Sequence, residues 1–137
     1  MSLKDLCTVE FIPDLAEAGI YSFKIEGRMK KPEYVAAVTS IYRKYADLYL
    51  QKGRKDYSVS REDKQILMDL YNRGGFHTGY YQMRNGKEML SLHRPNHAGI
   101  KAVKVVSQQG KEIKAEAMTE LHKGDVMIAF RSEERRV

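Results

Sequence analysis

The sequence offers little to hold a fold together covalently and few recognised catalytic signatures. Of its 137 residues one is cysteine, three are proline and none is tryptophan. The single thiol, Cys7, excludes an internal disulfide. It reads either as a small buried apolar residue or as a metal ligand whose partners lie elsewhere. No apolar run nears the ~20 residues that a membrane-crossing helix requires. The start, Met1-Ser2-Leu3-Lys4-Asp5, has no apolar leader core, so a cytoplasmic protein without a membrane partner is expected. A zinc-protease HExxH, a Gly-x-Ser-x-Gly elbow, a Walker loop and a dinucleotide fingerprint are all missing. His93 and His97 lie close in sequence, but Pro95 between them prevents a shared helical face and argues against a metal site there. His77 and His122 stand alone and read as surface residues. There is no internal repeat and no low-complexity tract.

What is present is an ordinary globular balance, with 42% hydrophobic and 31% charged residues. The net charge of +6 permits binding to nucleic acid or acidic surfaces without demanding it. Basic residues are scattered, with short clusters at Arg28 to Lys31, Arg54-Lys55 and Arg135-Arg136, and no aromatic-rich RNA motif beside them. A solvated basic surface accounts for this pattern, and no nucleic-acid-binding residue is singled out.

Val9 to Gly19 reads as a short helix, with Pro13 in its first turn and Gly19 just past its end. Ile20 to Glu26 alternates like a strand. Phe23 and Ile25 face one way, and Ser22, Lys24 and Glu26 the other, before Gly27 breaks the run. Pro32 opens the longest helix, predicted from Lys31 to Lys52. Its buried face is Val35, Val38, Ile41, Tyr42, Tyr45, Leu48 and Tyr49, and Gly53 ends it. Arg54 to Val59 is a polar connector. Ser60 with Asp63 resembles a capping box opening a helix that carries Ile66, Leu67, Leu70 and Tyr71 and stops at Gly74-Gly75. Beyond Gly75 glycines recur at strand-and-turn spacing. Strands are predicted over Ile100–Val106, Ile113–Met118 and Val126–Phe130, with a turn at Gln109-Gly110 and a charged, frayed tail from Ser132 to Val137. The class is therefore α+β, divided into residues 1–53, a connector and helix over 54–80, and a small β-barrel over 81–137.

One strand between helices cannot form a parallel sheet alone, because parallel strands are buried on both faces and need neighbours. If Ile20–Glu26 belonged to a closed (β/α) barrel, Lys24, Glu26 and Arg28 would stand inward near the strand's C-terminal end, where such barrels keep functional groups. The alternative is the solvated face of an edge strand, or a structural ion pair.

The run Lys4-Asp5-Leu6-Cys7, then Ile12-Pro13 with Leu15 and Ala18-Gly19, then Phe23-Lys24-Ile25-Glu26-Gly27-Arg28-Met29-Lys30, with Pro32 to Ala36 and Tyr42-Arg43 in register, resembles the collagenase-like U-32 peptidase family near the end of its catalytic domain. Arg73 to Phe76, Thr78 to Tyr80 and Asn96-His97 with Gly99 are similar to the downstream region. The resemblance implies a strand–helix remnant of a TIM-like barrel followed by a helix and a small antiparallel β-barrel. It makes the chain a C-terminal fragment, inactive alone, whose catalytic residues in the intact enzyme would include Lys24, Glu26 and Arg28. Two activities follow from it: proteolysis of collagen-like substrates, and oxygen-independent hydroxylation of RNA bases or quinone precursors. The latter involves a four-iron four-sulfur cluster, for which Cys7 matches one of the cysteine positions. A non-catalytic RNA- or protein-binding module is the third reading. Unpaired strand edges and apolar faces also predict a homo-oligomer of the isolated chain.

Overall fold

The computed structural model describes residues 2–81, 86–91 and 97–128. His93, Pro95, Asn96, the end of the third predicted C-terminal strand (129–130) and the charged tail lie outside these residues. The chain divides into two compact units, Met1–Gly99 and Ile100–Val137.

In the first unit, strands β1 (Ser2–Leu3) and β2 (Asp5–Leu6) precede a 3₁₀ turn over Val9–Phe11 and helix α1 (Ile12–Glu17). Helices α2 (Pro32–Lys52) and α3 (Arg61–Leu70) follow, then strands β3 (Phe76–His77) and β4 (Leu90–Ser91). β1 pairs antiparallel with β4, and β2 pairs parallel with β3. The short N-terminal strands therefore clamp the residues that come after α3.

The ends of α2 are set by local chemistry. Pro32 occupies the first turn, where a missing N–H costs nothing. Gly53 adopts φ +69 and donates to the Tyr49 carbonyl at 2.8 Å. Val38, Ile41 and Tyr45 of α2 bury against Val9, Ile12 and Leu67, with Tyr42, Leu48 and Tyr49 at the margin. Each such aliphatic side chain contributes about 1.5–3 kcal/mol on burial. Val35, expected on this face, is exposed at the helix start.

The polar centre of the α2–α3 contact is Asp63. Its Oδ2 accepts from the Tyr45 hydroxyl at 2.5 Å, Lys44 Nζ at 2.6 Å and Ser60 Oγ at 3.0 Å. Ser60 caps α3 by accepting the Asp63 N–H at 3.1 Å. The Ser60 N–H donates to the Tyr45 hydroxyl at 2.8 Å, so the expected capping box is completed from α2. The Lys44 ammonium, then the Tyr45 hydroxyl, hold the Asp63 carboxyl below its ordinary value of 3.8. A folded value below the unfolded one contributes stability above that unfolded value, lost as pH falls through the folded one. Asp63→Asn is expected to flatten the acid limb of stability against pH, measured as urea midpoints between about pH 2 and 5. An acid limb as steep as the wild type's would refute this.

Ile20 to Glu26, expected as a strand, forms no strand and has no ladder partner among the described residues. An isolated strand leaves its N–H and C=O groups to water. Ile25 nonetheless packs on the core while Phe23 stays exposed. Helix α3 ends at Leu70, short of the expected Gly74-Gly75 stop, because Tyr71 is already extended.

The second unit holds an antiparallel hairpin, β5 (Val103–Gln109) with β6 (Glu112–Ala117), turning at Gly110 with φ +59. Its register slips between Val105 and Ser107. Ile113, Ala115 and Ala117 share a face as the alternation predicts, yet all are exposed. Residues 126–128 form no strand, and among the described residues no closed barrel exists. Among the described residues the chain is a mixture of three α-helices and two-stranded sheets.

Candidate functional site

The parallel β2–β3 ladder sets Asp5 opposite Phe76 and Leu6 opposite His77, and it continues as the Cys7 N–H donates to the His77 carbonyl at 3.0 Å. Side chains alternate along an extended segment, so Asp5 and Cys7 leave β2 on one side. The chemistry of the unit gathers around these two residues.

Asp5 grips Arg73 with both oxygens. Arg73 Nη2 meets Oδ1 at 2.9 Å and Nε meets Oδ2 at 3.2 Å, while the Arg73 backbone N–H donates to Oδ2 at 2.9 Å. Planar two-point pairing of this kind fixes orientation as well as charge. Hydrogen bonding to Asp5 raises the Arg73 guanidinium further above its already high value.

Asn72, 2% exposed, organises the adjoining loop. Its amide donates to the carbonyls of Met68 at 2.7 Å and Gly99 at 3.0 Å. Its oxygen accepts the N–H groups of Gly74 at 3.1 Å and Gly75 at 2.9 Å. Both glycines have strongly positive φ, a conformation that a Cβ would strain. The Asn72 N–H donates to His97 Nδ1 at 3.0 Å, which leaves the proton of a neutral ring on Nε2. His97 stacks on Tyr71 with centroids 5.3 Å apart and planes 12° apart. The Lys30 ammonium covers Tyr71, and Tyr34 meets Tyr71 edge-on.

Cys7 is half-buried, and burial pushes its thiol up against the opposing Val9 N–H and Tyr42 hydroxyl. The Tyr42 hydroxyl donates to Cys7 Sγ at 4.0 Å and accepts the Thr8 N–H at 2.9 Å. Burial, then Cys7, pushes Tyr42 up to about 12. Both groups are therefore protonated at neutral pH, and Cys7 has none of the thiolate character of an activated nucleophile. A four-iron four-sulfur cluster takes four thiolates. This chain has one cysteine, and among the described residues no three His, Cys, Asp or Glu side chains converge as a metal site. The residues present do not by themselves fit a cluster.

Lys24 and Glu26 stand on one side of the 20–26 segment, as their alternation predicts, and form an ion pair at 2.9 Å that is largely solvent-exposed. Arg28 is exposed in the turn that follows. That turn packs closely on α2: a Cβ on Gly27 would fall 2.5 Å from Val35 Cγ2. Among the described residues no hydrogen bond or ion pair joins Lys24, Glu26 or Arg28 to Cys7. His77 accepts the Gly79 N–H on Nδ1 at 2.9 Å, and His122 is exposed. Asp5, Tyr42 and Arg73 stand in runs that the sequence marks by resemblance or periodicity, but their pairings were not foreseen, and Asn72 was not singled out. Their roles rest on contacts between residues as far apart as 5 and 73. The one local cue was the glycine pair after Arg73.

The profile of peptidase family U32 matches residues 1–91. The "Collagenase" of Porphyromonas gingivalis is 43% identical over 81 residues, covering 59% of this chain and 22% of the relative. "tRNA hydroxylation protein P1" of Bacillus subtilis is 59% identical over 73 residues, 53% of this chain and 17% of the relative. "tRNA hydroxylation protein P2" of the same organism is 43% identical over 63 residues, 46% of this chain and 20% of the relative. The chain thus spans about a fifth of the length of these relatives. No solved structure matches it. No helix among the described residues is long and apolar enough to cross a membrane.

Proposed function

The chain belongs to peptidase family U32, and from that premise we propose that it forms part of an enzyme that hydroxylates bases in tRNA. The observation that carries this reading is the 59% identity to a protein named for tRNA hydroxylation, against 43% to the collagenase. In this reading Cys7 supplies one thiolate of an iron–sulfur cluster, and the other ligands come from sequence outside this chain. The rigid setting of Cys7 supports that role: its N–H is tied to β3, and the Asp5–Arg73 clamp fixes the segment before it. A ligand held in place in advance loses less freedom on binding, and thiol ligation would release the proton that burial now retains. Ile20–Glu26 would be one stave of a larger (β/α) barrel with Lys24, Glu26 and Arg28 facing its lumen. The segment's lack of a ladder partner among the described residues is consistent with that place. Alone, the chain would have no activity.

Two measurements test this. Deleting the gene is expected to remove a hydroxylated nucleoside from total tRNA, read by mass spectrometry; an unchanged nucleoside profile overturns the proposal. In a full-length protein carrying this segment, purified anaerobically, Cys7→Ser is expected to abolish cluster absorbance, and retained absorbance removes Cys7 from the ligand set.

Peptide hydrolysis is the second reading, favoured by the 43% identity to the collagenase over a slightly longer span. Gelatin cleavage by the colourless full-length protein would establish it in place of the first.

A further inference from the structure

We propose that His97 is a stacking platform for one base of single-stranded RNA, with the Arg28 to Lys31 turn carrying the neighbouring phosphates. This rests on the reading that the substrate is RNA, and it assigns a contact surface to that substrate.

Three observations place the platform. First, the His97 ring is oriented before any ligand arrives. One face lies on Tyr71, 12° from parallel, and Nδ1 is held by the Asn72 N–H, itself fixed by a buried side chain. Second, His97 remains exposed despite those two contacts, so the stack Lys30–Tyr71–His97 ends on a ring that solvent reaches. Third, the cation lying on the same Tyr71 ring belongs to a basic turn. Lys30 sits over Tyr71, and Arg28 and Lys31 on either side of it are exposed.

The charge around the stack favours a polyanion. Arg28, Lys30 and Lys31 have two acidic residues beside them in the chain, Glu33 in the first turn of α2 and Glu26, which is already paired with Lys24. The nearby carboxylate of Asp5 is already neutralised by Arg73. A planar, oriented ring beside cations is the arrangement by which proteins hold unpaired nucleotides. Bases stack on aromatic faces regardless of sequence, and cations track the backbone. Because the ring is oriented in advance, little freedom remains to be lost on binding. A peptide partner would instead require an apolar pocket or an open strand edge beside the ring.

The test is fluorescence anisotropy of a labelled single-stranded oligouridylate of about ten nucleotides, long enough for one such site, titrated at low salt with the 137-residue chain. His97→Ala is expected to weaken binding about ten-fold, in the range lost with one base–aromatic stack. His97→Phe keeps a ring but not the Asn72 hydrogen bond, and is expected to bind within about two-fold of wild type. Arg28→Ala with Lys31→Ala should weaken binding and lower the slope of log affinity against log salt by about 1.4, the value for two single-strand phosphates. Equal binding by His97→Ala and wild type overturns the platform. So does equal loss in the Ala and Phe variants, which marks His97 as a loop-holding residue. Failure of the chain to bind the oligonucleotide also overturns it. The nucleoside profile of the deletion strain decides the hydroxylation reading separately, so the platform can fail while that reading survives.

Discussion

Tyr45→Ala is expected to lower the stability of the first unit by about 3–5 kcal/mol, the range for deleting a buried aromatic ring. Tyr45 is 2% exposed and lies between Val9, Ile12, Ile41 and Leu67. Its ring meets Tyr57 edge-on at 6.0 Å. Its hydroxyl links the start of α3 to α2, receiving the Ser60 N–H and donating to Asp63. The substitution therefore opens a cavity and also strips a partner from a buried carboxylate. Tyr45→Phe separates the two effects, because it keeps the ring and removes only the hydroxyl. It should cost about 1–3 kcal/mol, the penalty for leaving buried polar groups unpaired. With domain stabilities of about 5–15 kcal/mol, the alanine variant approaches the limit of folding and the phenylalanine variant does not. Urea denaturation of the three proteins measures both. Equal losses would show that ring volume contributes nothing, contrary to this packing.

Asn72→Ala is expected to cost about 2–4 kcal/mol, at about 1 kcal/mol for each of four hydrogen bonds with partial relaxation. The amide side chain donates twice and accepts twice, which uses its full capacity. Asn72→Asp discriminates between its two halves. A carboxylate still accepts from Gly74 and Gly75, but it cannot donate to the Met68 and Gly99 carbonyls, and it buries a charge. Both variants should therefore be unstable, with different signatures in hydrogen exchange. The Gly74 and Gly75 amides lose protection in Asn72→Ala and keep it, relative to global stability, in Asn72→Asp. Protected glycine amides in the alanine variant would show that the loop holds itself.

Elements defined by neighbouring residues were legible in the sequence. Pro32 and Gly53 bound α2, Ser60 caps α3, and Gly110 turns the hairpin, each through chemistry within one turn of the chain. Elements defined by distant partners were not. Lys24 and Glu26 of Ile20–Glu26 form an ion pair, but a strand is a ladder, and its partner cannot be read from its own residues. The tiny strands β1 to β4 escaped for the opposite reason, since two residues carry no period. In the hairpin the alternation was present without a core behind it, which is why Ile113 is exposed. Of the site, Cys7 stood out by residue type and by its place after Lys4-Asp5-Leu6. Asn72 was not, because its importance lies in bonds to residues 68 and 99, and an asparagine before glycines reads as an ordinary turn.

The N-terminal clamp also dictates an order of events during synthesis. Asp5 waits for Arg73, 68 residues downstream, and β1 waits for Leu90 and Ser91. Helices α1 to α3 can form and collapse as they leave the ribosome, but the Ser2–Leu6 segment cannot be seated until residues 73 to 91 have been translated. At about 5–20 residues per second that interval lasts several seconds, during which Cys7 and the segments that become β1 and β2 lack their partners.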